Sequence, residues 1–327
     1  MTKLDSIKVK VPNDCILGLG DRFITTNIVD AKGNELQNKS SLTTTGVVGF
    51  KSSIVDNRQQ QTIFEFSAKI LGADYFEGIH LGTIQQVADT INNSKLLTID
   101  PYKFIESAEV LKLDATDNLR PEITGEKLYN TLALLPISKK YKVTHYESKT
   151  KLGIEWWGQQ KTVRDRMILY DKTKNLIGDK ELRKQPYAVK VFNDFKDVVR
   201  VETNHAKLKD LRQLYGSTNL LDILGSNAKV NYQRFTSITA KTTEIRLFTE
   251  FDGMKWNEIV KREGFRGICE RCNMDWFLID RFIRIHNTNN YRSVRPELRA
   301  YYNTLNQNTR IVDFDVIQHI KDLLLVA

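Results

Sequence analysis

Three short stretches constrain this chain more than anything else in it: Val110–Arg120 (VLKLDATDNLR), Arg164–Thr173 (RDRMILYDKT) and Asp197–His205 (DVVRVETNH). Leu111 and Leu113 alternate with Lys112, Asp114 and Thr116. Met167 and Leu169 alternate with Ile168, Tyr170 and Lys172, and Val199 and Val201 alternate with Arg200 and Glu202. Strand side chains change face at every residue, so the pattern predicts three β-strands, each with an apolar side and a side that carries chemistry.

The same periodicities predict further strands over 6–11, 46–50 and 61–70, and three successive strands over 141–144, 151–157 and 166–171. Residues 30–43, rich in Lys, Asn, Gly and Ser, predict a hairpin tip or loop. Apolar residues at helical spacing predict helices over 83–91, 121–135 (with Pro121 in the first turn) and 205–215, the last closed by Gly216. Residues 172–193 are polar and predict a linker. Beyond about residue 225 the pattern turns mostly helical, and no internal repeat stands out. The fold class expected is α+β: a mainly antiparallel sheet domain over 1–225, then a smaller helical domain over 226–327.

The formal net charge of +9 points towards a polyanionic partner. There is no apolar run of about 18 residues and no apolar signal-peptide core behind MTKLDSIKVKVP, so no membrane span and an intracellular protein are expected. Cys269 and Cys272 form a CxxC without a second pair, and His286 is the one histidine nearby. Two semi-buried thiols are therefore expected rather than a zinc site.

Asp114 and Glu202 sit mid-strand between aliphatics, where carboxylates are rare unless paired or bound to metal. Two readings follow. Asp114 and Glu202 ligate Mg²⁺ or Mn²⁺ with Glu65 as a third carboxylate, or they pair with Lys112 and Arg200 on a wet sheet face. Tyr170 shares its face with Lys172 and follows Arg164 and Arg166, cations that would favour phenolate and stabilise a phosphorane. A tyrosine so placed could attack a phosphodiester. Of the adjacent Trp156 and Trp157, one belongs to the core and the other is free to stack on an unpaired base. Lys207, Lys209 and Arg212 form a basic helix face, either for backbone phosphates or for solvent. The arginines and tyrosines of residues 281–302 (Arg281, Arg284, Arg292, Arg295 and Arg299 with Tyr291, Tyr301 and Tyr302) suggest origin DNA binding or, equally, helix packing with a solvated basic face.

LYDKT, followed after a polar insert by VVRVETNHAKLKDL, resembles the II/X family of phage and plasmid rolling-circle replication initiators, to which the filamentous-phage initiators belong. KLDAT, EWWGQQKTVRDRMILYDK, LDSIKVKVP and FEFSAKILG are similar to further parts of the family pattern, and the similarity runs from residue 4 to about 225. The resemblance implies a nickase/relaxase-like catalytic domain that nicks one strand of origin DNA through a covalent 5′-phosphotyrosine and can rejoin it. Tyr170 would be the nucleophile and Lys172 its catalytic neighbour, with Asp114 and Glu202 as metal carboxylates. Arg164, Arg166, Arg200, Lys207 and Trp157 would hold DNA. The chain lacks the His-hydrophobe-His motif of other rolling-circle nickases, which fits a carboxylate site and leaves His145 and His205 as further candidates for a third ligand. The partners implied are origin DNA (single-stranded, cruciform or nicked duplex) and a host helicase, in the cytoplasm of a bacterial host. The alternative is a non-catalytic, sequence-specific DNA-binding protein on the same scaffold.

Overall fold

A computed structural model describes residues 2–123, 125–133, 140–158, 166–240, 254–286, 290–307 and 315–327. The architecture is α+β, and the described residues include twelve strands: β1 (Leu4–Pro12), β2 (Ile16–Leu19), β3 (Ile24–Val29), β4 (Glu35–Leu42), β5 (Phe50–Asp56), β6 (Gln61–Ser67), β7 (Leu97–Ile99), β8 (Glu109–Leu119), β9 (Tyr141–Ser148), β10 (Lys151–Gly158), β11 (Arg166–Asp171) and β12 (Val199–His205). Ten of them form one antiparallel sheet in the order β3-β4-β5-β6-β1-β8-β12-β11-β10-β9, and β2 pairs with β7 apart from it.

That order contains a duplication that the residues do not advertise. β1 opens the first half and is flanked by the last strand of its own meander, β6. β8 opens the second half and is flanked in the same way by β12. The halves meet at the antiparallel β1–β8 pair, so the strand order reads alike outward from that seam. The second half departs from the first between β11 and β12, where a tight turn is replaced by the helices Lys172–Ile177, Lys180–Arg183 and Ala188–Asp194.

These helices occupy the stretch expected to be a polar linker. Asp171 and Asp179 cap the first two, accepting from the backbone N–H groups of Lys174 at 2.8 Å and Leu182 at 3.0 Å. Leu176, Leu182, Val191 and Phe195 are the apolar anchors, all buried. Too few apolar residues separated by too many charges hid the pattern.

Two other expectations shift. Residues 35–42 form a strand whose Ser40 and Leu42 are buried, leaving a tip at Asp30–Asn34 closed by an Asp30 N–H to Asn34 carbonyl bond of 2.9 Å. Residues 46–49 are not a strand: Gly46 and Gly49 have φ of +72° and +86°, and a Cβ on Gly49 would sit 2.1 Å from the Ile70 backbone nitrogen. The helix expected from Pro121 starts at Gly125, and that expected from His205 starts at Leu208, with Gly216 at φ +74° as its C-cap.

The chain divides into two units, one of Met1–Ile245 with Ile317–Ala327 and the other of Arg246–Val316. The helix Val230–Thr239 belongs to the first because Phe235 packs edge-on to Trp156, with ring centroids 6.1 Å apart. The second unit is helical, with Trp256–Arg271, Trp276–His286 and Tyr291–Gln307 around Phe265, Cys269, Ile279, Ile283 and Tyr302. Its arginines are largely spent internally: Arg295 pairs with Asp280 at 2.6 Å, and Arg299 lies 4.3 Å over the Trp276 ring. No helix among the described residues is long and apolar enough to cross a membrane.

Candidate active site

The ten-stranded sheet has two unlike faces. Leu113, Ala115, Leu152, Ile154, Trp156, Met167, Leu169, Val199 and Val201 line the apolar side and are buried. Register fixes what shares the other side. Tyr170 lies opposite Arg200, Ile168 opposite Glu202, Glu202 opposite Thr116 and Asn204 opposite Asp114. Gly153 and Trp157 lie opposite Tyr170 and Arg166 on the same side.

Tyr170 is the centre of the constellation. Its hydroxyl donates to Glu202 Oε1 at 2.6 Å and accepts from Lys172 Nζ at 3.0 Å. Lys172 is only 2% exposed, because the helix that follows β11 turns it back beneath the strand end, where it lies 5.3 Å over the Tyr170 ring and 5.1 Å over Tyr75. Arg200 is fully buried between Tyr75 and Phe195, with ring distances of 5.2 and 4.7 Å. It pairs with Asp5, donates from Nε to Asn118 Oδ1 at 2.9 Å, and stands 4.0 Å from Glu202 Oε1.

Electrostatics reverse one expectation. Burial, and then the Glu202 charge, push the Tyr170 hydroxyl well above the ordinary tyrosine value, against the pull of Arg200. The resting tyrosine is therefore a neutral phenol that hands its proton towards Glu202, not a phenolate. Burial, and then Asp5, raise the Glu202 carboxyl above the usual range, which suits it to accept that proton. Lys172 is lowered to about 7, first by burial and then by Arg200.

One side of Tyr170 opens on a cleft of about 470 Å³ lined by Tyr146, Lys151, Glu155, Arg166, Asp171 and Glu202 among others. Gly153 makes the room: a Cβ there would meet Tyr170 Cβ at 2.7 Å and the Tyr146 hydroxyl at 2.9 Å. At the far end Arg166 pairs with the buried Glu155 and stacks 5.0 Å from Trp157, whose ring is 39% exposed on the polar side. Trp156 is the core member of that pair. Tyr170 itself is 7% exposed.

The carboxylates expected to share a metal do not gather. Asp114 is a diagonal neighbour of Glu202 and is held by the Asn204 amide. Glu65 lies on β6, three strand spacings or roughly 14 Å from β12, and pairs with Lys51 at 3.6 Å. His205 is buried on the opposite side of β12 from Glu202, and His145 lies opposite Ile154, on the opposite side from Gly153 and Tyr170. Among the described residues no group of three His, Cys, Asp or Glu is placed to hold a metal ion. These residues, as arranged, do not fit the three-carboxylate centre. Of the CxxC, Cys269 is buried and Cys272 half-buried in the helical unit.

The other expected site residues separate by position. Arg166 lines the cleft, and Trp157 stacks against it without lining the cleft itself; Arg200 has no exposed surface to offer a phosphate and instead supports the site from behind. Lys207 is exposed just beyond the end of β12, ahead of the basic helix, and Arg164 lies outside the described residues. Asp5, Tyr75, Tyr146 and Gly153 belong to the constellation without having been singled out in the sequence. Asp5 and Tyr75 arrive from the other half of the sheet and from the turn after β6, and no local pattern links those segments to β11. No family model matches the chain, and neither a curated protein nor a solved structure matches it.

Proposed function

We propose that the protein is a nicking-joining enzyme that transfers a phosphodiester of single-stranded DNA to Tyr170, as a rolling-circle replication initiator does at its origin in a bacterial cytoplasm. The observation that carries the reading is the double engagement of one hydroxyl: Tyr170 gives its hydrogen to a buried carboxylate and accepts one from a buried ammonium, beside a cleft whose lining includes Lys151 and Arg166 together with Glu155 and Asp171. A structural tyrosine needs neither partner to be ionisable.

In the proposed step, Tyr170 Oη attacks phosphorus while its proton passes to Glu202 Oε1. Lys172 then faces the negative charge that builds on the phenolic and phosphoryl oxygens. The bond from phosphorus to the 3′ oxygen breaks, and that oxygen takes a proton from solvent and leaves as a free 3′ hydroxyl. The 5′ phosphate stays on Tyr170. Return of the 3′ hydroxyl reverses every bond change, because the phosphotyrosine conserves the ester. Arg166 and Trp157 are positioned to hold the strand along the cleft, the first by charge and the second by stacking.

The test is a denaturing gel of the protein with a 3′-end-labelled, random-sequence single-stranded oligonucleotide pool, with and without Mn²⁺. A slow, protease-sensitive labelled band supports the enzyme. Salt-sensitive binding with no such band under either condition supports the non-catalytic DNA-binding module instead.

A further inference from the structure

We propose that Asp5 is a positioning residue: it holds the buried Arg200 away from Glu202 and so leaves Glu202 Oε1 free for the Tyr170 hydroxyl. The activity part of this inference rests on the tyrosine-nucleophile reading; the geometric part does not.

Asp5 occupies an irregular place in β1. Leu4 lies opposite Ala115 and Ser6 opposite Asp114, so two steps along β1 match one along β8 and Asp5 is the extra residue. Such a bulge re-aims a side chain that regular alternation would send elsewhere. Here it brings the carboxylate onto Arg200 Nη1, with the Tyr75 hydroxyl bridging the pair at 3.2 Å to Asp5 Oδ1 and 3.3 Å to Arg200 Nη1.

Arg200 cannot stay unpaired. Its side chain has no exposed surface, and an isolated buried cation is strongly unfavourable. Among the described residues two carboxylates stand within 4.0 Å of its guanidinium, Asp5 and Glu202. The contested atom is the same in both cases: Glu202 Oε1 accepts from Tyr170 at 2.6 Å and lies 4.0 Å from Arg200 Nη1. A shift of about 1 Å would make an ordinary charge-assisted bond there. Among the described residues Arg200 Nη2 has no hydrogen-bond partner, which leaves a donor unspent. Charge points the same way. Asp5 and Glu202 balance Arg200 and Lys172; without Asp5, two buried cations would compete for one carboxylate.

Asp5→Asn keeps the shape and removes the charge. It is expected to slow adduct formation about 100-fold while single-stranded DNA affinity, read by fluorescence anisotropy, stays near wild type. The double variant Asp5→Asn/Arg200→Gln removes the competing cation as well and is expected to recover much of the lost rate. A residue that merely stabilised the fold would give losses that add, so a double variant no faster than Asp5→Asn overturns the proposal. If Asp5→Asn alone does not fold, the double variant, with both buried charges gone, is compared directly with wild type, and a folded but inactive protein overturns it. Should the wild type form no adduct, the nicking reading fails and the crystal structure of Asp5→Asn decides the positioning role. Arg200 bonded to Glu202 Oε1 supports it; Arg200 unmoved overturns it.

Discussion

Tyr170 and Glu202 face each other across neighbouring strands, two residues out of register and so on the same side of the sheet, with the phenolic hydroxyl 2.6 Å from the carboxylate and a lysine 3.0 Å behind it. In the proposed step each group has a task, Glu202 taking the proton and Lys172 facing the developing charge, and each task can be removed separately.

Glu202→Gln keeps the hydrogen bond's shape but cannot take the proton. Adduct formation is expected to fall by about 10²–10⁴-fold, the usual worth of a general base, with DNA affinity little changed. Rapid-quench rates beside anisotropy titrations separate the two quantities, and equal losses in both would point to a binding role.

The pH dependence has a definite sign. Glu202 must be ionised to accept the proton, and its carboxyl lies above the ordinary range, so the rate rises with pH beyond the usual glutamate value of about 4.3. Lys172 must be protonated, and burial brings it to about 7, so the rate falls above that point. Lys172→Arg stays cationic and is expected to lose the falling limb. An unchanged limb in the variant would remove Lys172 from the step.

The same lysine makes stability pH-dependent. Its value is about 7 in the fold and near about 10.4 in the unfolded chain. Between those values the unfolded state binds more protons, so stability is lost as pH falls from about 10.4 towards 7. Lys172→Met removes the titration, and its urea midpoint is expected to vary less over that window than the wild type's.

Gly153→Ala inserts a methyl 2.7 Å from both Tyr170 Cβ and the Leu169 carbonyl. Overpacking there is expected to cost about 1–3 kcal/mol of stability and to abolish adduct formation in the fraction that folds. Thermal unfolding and the gel assay read the two effects.

Trp157→Ala removes the exposed ring beside Arg166 and is expected to weaken single-stranded DNA binding by about 1–3 kcal/mol, with fold stability nearly unchanged because the ring is 39% exposed. Equal anisotropy curves for the two proteins would place the strand elsewhere.

Alternation exposed β8, β11 and β12 in the sequence and, with them, the face that carries Tyr170 and Glu202, because period two is written in neighbouring residues; Lys172 joins them from the first turn of the following helix rather than from the strand. It could not show which strands adjoin. Glu65 looks equivalent to Glu202 by alternation, yet β1 and β8 stand between their strands. Asp5 was hidden for the opposite reason: a bulge breaks the alternation that would have marked it. The helices after β11 escaped notice because Asp171 and Asp179 caps and four scattered apolar anchors specify them, with no continuous stripe. The duplicated strand order leaves no mark in the residues, since topology constrains polarity and length far more than identity.

In the proposed reaction Tyr170 Oη forms the covalent bond. Protein incubated with single-stranded DNA, digested with nuclease and protease and analysed by mass spectrometry should yield the peptide containing Tyr170 with a nucleotide 5′ phosphate attached, absent from Tyr170→Phe. An adduct that persists in Tyr170→Phe, or maps to another residue of the wild type, would contradict it.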